Sequence, residues 1–284
     1  MKQTGKTWEV SNKKLRLMVS ERDAGAVCSL IYDGLELVND HDHGRQLQVA
    51  WIYNDLDEAY NPTEAGASDD LTGPRSTSQL LSVKARGTTL ETVSHPAYWH
   101  NTSIPEEHRK NTALVTKDTL SKKLTLGYKG DPNVLVFDIT LKVSQELTGP
   151  PISQLRIEAP TLYANRALSE HSVLDFVSGV RTMVPLRSQR KDTMNTVIDR
   201  VTDHRKIPIL STPDQRHAVA FFAPQPKDFW AYYSWDVPSD DPTNACGKVT
   251  TFFKHAAEAG RTYRYRSFII VGDLSTVTAS TPRL

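Results

Sequence analysis

The chain has 284 residues, a formal net charge of +1, 38% hydrophobic residues and 24% charged residues. A charge this close to zero gives no long-range field to gather nucleic acid or an anionic membrane, so neither is an expected partner. No apolar run approaches the roughly 20 residues of a membrane helix. The first ten residues lack the apolar region of a signal peptide. We therefore expect a cytoplasmic protein, or an exported one whose signal has been removed.

Alternating segments begin near the N-terminus. In TWEVSNKKLRLMVSE the apolar residues Leu15, Leu17 and Val19 recur at every second position, the period of a strand with one buried face. The next segment, AVCSLIYDGLELVND, has Asp33 and Gly34 between two apolar runs. An Asp-Gly dipeptide placed in this way predicts a tight β-hairpin.

Further strand-like segments follow along the whole chain. They are RQLQVAWIY, SQLLSVKARGTTLETVSH, TALVTKDTLSKKLTLGYKG, NVLVFDITLKVSQ, SQLRIEAPTLYA, HAVAFFAP, FWAYYSW, KVTTFFKH and RTYRYRSFIIVGD. Only residues 160–182 and the turn 256–260 are candidates for a helix, and both are short. About eleven strands without a 3.6-residue period predict an all-β fold. A single sheet of that size would leave apolar faces wet. We therefore expect a large antiparallel β-sandwich, with a jelly roll as the alternative.

No repeat, linker or low-complexity block divides the chain. We expect one sandwich domain over residues 1–274 and a loose polar tail, STVTASTPRL, over residues 275–284. Cys28 lies in an apolar strand segment, and Cys246 is distant in sequence. A bridge between them stays open, because a buried free cysteine is also an ordinary small apolar residue.

The pattern of the chain resembles the β-supersandwich of galactose-mutarotase-like proteins. The resemblance is carried by paired hairpins throughout, a Gly-containing apolar strand near the start, and the terminal segment YRYRSFIIVGD. That superfold also supplies domains to polysaccharide lyases and glycoside hydrolases. The resemblance implies the sandwich fold and a carbohydrate ligand. It carries over no catalytic residue, because the paired histidine and glutamate of those epimerases have no matching surroundings here.

The first candidate site is NDHDHGRQLQVAWIYNDLDEAYNPTEAG, residues 39–66. His43 and Arg45 stand at a strand entry, where they could meet a carboxylate or a hydroxyl-rich ligand. Both faces of the following strand mix polar and apolar residues, so we expect one face to line a cleft rather than a core. The exposed loop after it offers Tyr60 and Asn61 for binding and Glu64 for catalysis. Surface ion pairs remain the structural alternative. The acidic spacing makes no recognised metal motif.

Two further clusters have similar chemistry. SHPAYWHN combines His95, Tyr98 and His100 for proton transfer with Trp99 for stacking on a sugar. Two histidines five positions apart make no recognised zinc motif. The other cluster joins RIEAPTLYANR and FWAYYSW. Its members are Glu158, which shares a strand face with Arg156, followed by Tyr163, Arg166 and Trp235 as binding residues.

These observations predict a carbohydrate-active enzyme without a cofactor or metal that cleaves a poly- or oligosaccharide. The His, Tyr and Arg clusters favour β-elimination of a uronate-containing glycan, with Arg45 neutralising the carboxylate. A glycoside hydrolase that pairs Glu64 with Glu158 is an alternative. A mutarotase-type epimerase and a non-catalytic carbohydrate-binding protein also remain open. The sugar, its linkage and the oligomeric state stay undefined.

Overall fold

The computed structural model describes residues 5–54, 61–66, 76–99, 115–144, 153–183, 196–201, 203, 205–224, 229–235 and 246–281. Within these ranges lie twenty β-strands and one short α-helix. In chain order they are β1 (Thr7–Ser11), β2 (Leu15–Ser20), β3 (Val27–Tyr32), β4 (Leu35–Glu36), β5 (Leu47–Tyr53), β6 (Pro62–Thr63), β7 (Gln79–Arg86), β8 (Thr89–His95), β9 (Ala97–Tyr98), β10 (Thr119–Tyr128), β11 (Asp131–Lys142), β12 (Gln154–Asn165), β13 (Glu170–Asp175), β14 (Val180–Met183), β15 (Thr196–Val201), β16 (Lys206–Ser211), β17 (Ala218–Phe222), β18 (Phe229–Trp235), β19 (Cys246–Ala256), β20 (Thr262–Gly272) and α1 (Leu274–Ser280). At seven residues, α1 is too short to cross a membrane, and the described ranges hold no longer helix.

The strands form two sheets that face each other. The first sheet has eleven strands, with a main path β1-β2-β3-β5-β12-β19-β18-β15; β4 pairs with β3, and β6 joins β5 to β9. The second sheet has nine strands in the order β14-β13-β16-β17-β20-β11-β10-β8-β7. The central pairings of both sheets are antiparallel. The all-β antiparallel sandwich expected from the sequence is therefore confirmed.

The main core lies between the sheets and follows from period-two alternation. In β10 the even-numbered residues from Leu120 to Leu126 are buried, while the odd-numbered residues between them are more exposed. Large side chains from both sheets fill the same space, among them Trp51 of β5 and Phe137 of β11. Each such side chain contributes about 1.5–3 kcal/mol when it leaves water.

The turn at Asp33 and Gly34 forms as the sequence predicts. The residues have φ angles of 44° and 79°, and Tyr32 pairs with Leu35 across the hairpin between β3 and β4. Positive φ at both central positions is the requirement of the two-residue turn whose twist matches that of the strands.

The structure corrects three sequence expectations. Residues 160–182, the longer candidate for a helix, hold the end of β12, all of β13 and the start of β14. All seven residues of β5 are buried, so this strand has no open face; it is a central strand, with β12 on one side and β3 and β6 on the other. Residues 274–280 are a packed helix and not a loose tail. Asp273 caps the helix by accepting from Thr276 N at 2.6 Å, and Leu274 and Val277 join a second apolar cluster.

Cys28 and Cys246 are both buried, and neither forms a disulfide. The bridge that the sequence left open is therefore not formed.

A buried ion pair joins the two sheets through the core. Lys122 Nζ of β10 lies 2.5 Å from Glu64 Oε1, in the turn after β6, and neither side chain is exposed to solvent. Lys122 Nζ also donates to Gly25 O at 3.1 Å, and Glu64 Oε2 accepts from Val49 N at 3.2 Å. Burial raises the pKa of Glu64 and lowers the pKa of Lys122, while their mutual attraction opposes both shifts.

A second polar contact joins the sheets near the end of β5. The Tyr53 hydroxyl donates to Asp118 Oδ2 at 2.6 Å, and Ser144 N donates to Asp118 Oδ1 at 2.7 Å. Burial raises the pKa of Asp118, and these hydrogen bonds oppose the rise. Both cross-sheet contacts are strongly directional, so they define how the two sheets are placed against each other.

We predict that breaking the Lys122–Glu64 pair destabilises the protein strongly. Glu64→Gln and Lys122→Met each leave a buried charge without its counterion, at a cost of about 3–5 kcal/mol in the free energy of unfolding. The double variant Glu64→Leu with Lys122→Met removes both charges and should recover most of that loss. Urea unfolding of the three variants measures the difference. Single variants as stable as the wild type would contradict a role for the pair.

Candidate functional site

Two neighbouring strands of the eleven-stranded sheet, β12 and β19, carry polar residues on the face turned away from the core, here called the outer face. In β12, Ile157 and Leu162 point into the core, whereas Glu158 and Tyr163 belong to the outer face. A register shift between Glu158 and Thr161 keeps this alternation on both sides of the irregularity. In β19, Val249 points into the core, and Lys248 belongs to the outer face.

Glu158, Tyr163 and Lys248, the acid–base cluster, meet on this face. Lys248 Nζ lies 2.8 Å from Glu158 Oε2 and 5.1 Å from the centroid of the Tyr163 ring. Thr250 Oγ1 donates to the same carboxylate oxygen at 3.4 Å. The side chains of Glu158 and Lys248 are 9% and 11% exposed, so the pair is largely sheltered from water.

Tyr163 keeps its proton across the physiological range. Burial raises the pKa of its hydroxyl to about 12, and the nearby Lys248 ammonium opposes the rise without cancelling it. At neutral pH the cluster therefore offers one hydroxyl donor, one ammonium and one carboxylate. That combination can supply both an acid and a base to a bound ligand.

Arg45 stands at the edge of this cluster, on a loop formed by residues 39–45. Its Nε lies 3.4 Å from Asp42 Oδ2, and its side chain is 19% exposed. The Arg45 guanidinium also acts electrostatically on Cys246, which precedes Lys248 by two positions on the same strand. Burial raises the pKa of the Cys246 thiol to about 11, against the influence of Arg45, so the thiol stays protonated. The predicted residues Arg45, Glu158 and Tyr163 thus lie along one side of the sheet.

The first two sequence clusters also meet. The Trp99 ring packs against Gly44, next to Arg45; a Cβ added at Gly44 would lie 2.3 Å from Cη2 of the ring. Trp99 N donates to Asn61 O at 2.7 Å, and Tyr98 pairs with Pro62 between β9 and β6. Gly44, Asn61 and Pro62 of the first cluster are therefore in contact with Tyr98 and Trp99 of the second.

Four other predicted residues are described by their packing and contacts within the protein. Glu64 is the core partner of Lys122 and has no exposed surface, which leaves it unable to reach a ligand in this structure. His95 belongs to the nine-stranded sheet, and its Nδ1 lies 2.6 Å from Asp118 O. His43 and Tyr98 are buried, at 7% and 3% exposure.

The remaining predicted residues are less informative. Arg166 is exposed in the turn after β12. Trp235 pairs with Cys246 in backbone register, and nothing is described of its side chain. Tyr60 and His100 lie outside the described residues.

Lys248 is a central residue of the cluster that the sequence analysis does not count among the site residues. Its only sequence signal is the alternation of CGKVTTFFK, which puts Lys248, Thr250 and Phe252 on one face. The pairing of β19 with β12, which places Lys248 beside Tyr163, is a long-range feature of the fold. No local pattern contains it.

One group among the described residues has the donor types of a metal site. Asp23, Cys28 and Asp40 place ligand atoms within 4.8 Å of one another. However, Arg22 Nη1 lies 2.9 Å from Asp23 Oδ1 and 3.3 Å from Asp40 Oδ1, so a guanidinium already provides positive charge there. The Asp23 and Asp40 carboxylates therefore form an ion-pair network with Arg22.

Comparison of the sequence with known proteins finds no matching family and no matching curated protein. Comparison of the structure does find similar folds. A galactose mutarotase related enzyme from Lactobacillus acidophilus has 10% identity and a TM-score of 0.50, with 94% of this chain and 97% of that chain covered. An Escherichia coli K12 protein provisionally assigned as an aldose 1-epimerase has 10% identity and a TM-score of 0.53, covering 95% and 100%.

A third similar structure is the α-N-acetylgalactosaminidase of Bifidobacterium bifidum in complex with GalNAc. It has 12% identity and a TM-score of 0.52, with 94% of this chain covering 36% of that one. At such low identity these likenesses concern the fold. The mutarotase-like fold expected from the sequence is confirmed.

We predict that Gly44→Ala forces the Trp99 ring away from the loop. The added Cβ overlaps the ring, so the variant should lose about 1–3 kcal/mol of stability and change the tryptophan fluorescence. In a Trp99→Phe background the same substitution should cost much less, because the overlapping ring atom is gone. Equal losses in both backgrounds, measured by urea unfolding, would show that the contact does not exist.

Proposed function

We propose that the protein binds a saccharide on the outer face of the eleven-stranded sheet and interconverts its anomers, as an aldose 1-epimerase does. The observation that carries this proposal is the acid–base cluster: the Glu158 carboxylate 2.8 Å from Lys248 Nζ, beside a Tyr163 hydroxyl whose pKa is about 12. Anomer interconversion needs one base and one acid on opposite sides of the reacting bond, and no cofactor.

In the proposed reaction, Glu158 takes the proton of the anomeric hydroxyl. The bond between the anomeric carbon and the ring oxygen breaks, and Tyr163 gives its proton to the ring oxygen, leaving an open-chain aldehyde. After rotation about the bond next to the aldehyde, the reverse transfers close the ring with the other configuration. Lys248 pairs with Glu158 at 2.8 Å and orients its carboxylate.

The other reactions left open by the sequence fit these residues less well. β-Elimination by tyrosine requires a lowered pKa for the base, whereas the pKa of Tyr163 is raised. Hydrolysis by Glu64 and Glu158 requires two reachable carboxylates, and Glu64 is fully buried against Lys122. Similarity of nearly the whole chain to a galactose mutarotase related enzyme also supports the epimerase. A non-catalytic saccharide-binding protein would bind the sugar but would not accelerate the interconversion of its anomers.

We expect Glu158→Gln to slow anomer interconversion by about 10²–10⁴-fold, the usual contribution of a general base. The assay follows freshly dissolved α-D-galactose, α-D-glucose and α-D-galacturonate by polarimetry, with ultraviolet detection of unsaturated products from uronate polysaccharides alongside it. Asp138→Asn is the matched control, because Asp138 forms an exposed ion pair with Arg266 on the other sheet. Wild-type protein that accelerates no sugar would contradict the proposal, and unsaturated products would favour elimination.

The dependence of the rate on pH distinguishes a tyrosine proton donor from a histidine proton donor. Because the raised pKa of Tyr163 is about 12, its protonated form persists through neutral and mildly alkaline pH, so the rate should not fall with loss of an acid near pH 7. A histidine acid would instead lose its proton near pH ~6.5. Tyr163→Phe should lower the rate at every pH. A rate that falls near neutral pH and is unaffected by Tyr163→Phe would assign the acid to another residue.

A further inference from the structure

The loop of residues 39–45 is fixed directly to the strand that carries Tyr163. Asn39 N donates to Tyr163 O at 2.9 Å, and Tyr163 N donates to Gln46 O at 3.2 Å. Asp40 N donates to Arg45 O at 2.8 Å, which closes the loop on itself. Arg45 therefore has a defined place relative to the acid–base cluster.

A polar cluster behind the loop, formed by Arg22, Asp40 and Gln46, holds the loop in this shape. Arg22 Nη1 lies 3.3 Å from Asp40 Oδ1, and Gln46 Nε2 donates to the same oxygen at 2.9 Å. Gln46 Nε2 also donates to the backbone oxygen of Asp42. Asp40 has a φ of 48°, a conformation that aspartate and asparagine tolerate better than most residues. Asp40 therefore sets both the backbone turn of the loop and the negative charge that faces Arg22.

We propose that Arg45 binds the carboxylate of an acidic saccharide, a uronate, and that the Arg22–Asp40–Gln46 cluster positions it. This inference rests on the proposed function of the acid–base cluster. A guanidinium matches a carboxylate in geometry and charge, and its five donors can serve Asp42 and a ligand together.

The spacing along β19 fits one sugar ring between the two ends of the site. Arg45 acts electrostatically on Cys246, and Lys248 Nζ lies 2.8 Å from Glu158 Oε2. Two residues along a strand advance about 7 Å. A single uronate can therefore place its carboxylate at Arg45 and its anomeric centre near Glu158. Arg22, Asp40 and Gln46 do not touch the ligand in this arrangement; they act through Arg45.

The experiment compares D-galacturonate with D-galactose, which differ only at C6: it is a carboxylate in the first sugar and a hydroxymethyl group in the second. Calorimetry gives the Kd of each sugar, and polarimetry gives KM and kcat. We expect the wild type to prefer galacturonate by about tenfold or more, and Arg45→Met to remove the preference. Asp40→Ala should weaken galacturonate binding severalfold with kcat and galactose binding unchanged. Asp40→Asn, which keeps an acceptor and the backbone conformation, should restore most of the preference.

Asp118→Asn serves as the stability control, because it removes a buried carboxylate that has no described contact with the loop of residues 39–45. Its preference for galacturonate should stay at the wild-type value even if its melting temperature falls. If Asp40→Ala does not fold, Gln46→Met tests the same contact. Equal affinities of the wild type for both sugars, or equal losses for both in the Asp40 variants, would overturn the inference. Calorimetry measures binding without turnover. It therefore distinguishes a failure of the uronate-binding inference from a failure of the epimerase proposal.

Discussion

The ion pair between Lys122 and Glu64 is the contact on which the arrangement of the site depends. Lys122 replaces an apolar residue in the inward row of β10, between Leu120 and Leu124, and its ammonium needs partners because water is excluded there. It finds Glu64 in the turn after β6 and the backbone oxygen of Gly25 in the turn between β2 and β3. One buried charge thereby holds two turns of the opposite sheet.

The same two turns hold the loop of residues 39–45 from either side. Next to Glu64, Ala65 N donates to Gln48 Oε1 at 3.0 Å, and Gln48 Nε2 donates to Gly44 O at 2.7 Å. On the other side, Asp23 is linked through Arg22 to Asp40 of the loop. The buried pair, the two turns and the loop form one closed polar network. Directional contacts that are linked in this way favour a single arrangement of their members, which is what a site on loops requires.

The sequence predicts those features that depend on neighbouring residues. The Asp33-Gly34 hairpin follows from turn chemistry, and the shared face of Arg156 and Glu158 follows from strand alternation. The ion pair of Glu64 and the place of Lys248 beside Tyr163 depend on pairings between distant strands, which no local pattern contains. Glu64 illustrates the difference. Its polar, turn-rich sequence surroundings indicate an exposed loop, yet in the structure the turn points inward and Glu64 pairs with Lys122.

The acid–base cluster combines the local and the long-range features. Alternation places Glu158, Tyr163 and Lys248 on the outer face, and the strand order brings β12 and β19 together. The most direct measurement of its role is a crystal structure of the protein with bound D-galacturonate. We expect the sugar on the outer face, with a hydroxyl group within hydrogen-bond distance of the Glu158 carboxylate. A sugar bound elsewhere, such as the groove between Lys129 and Ser280, with the outer face unchanged, would contradict it.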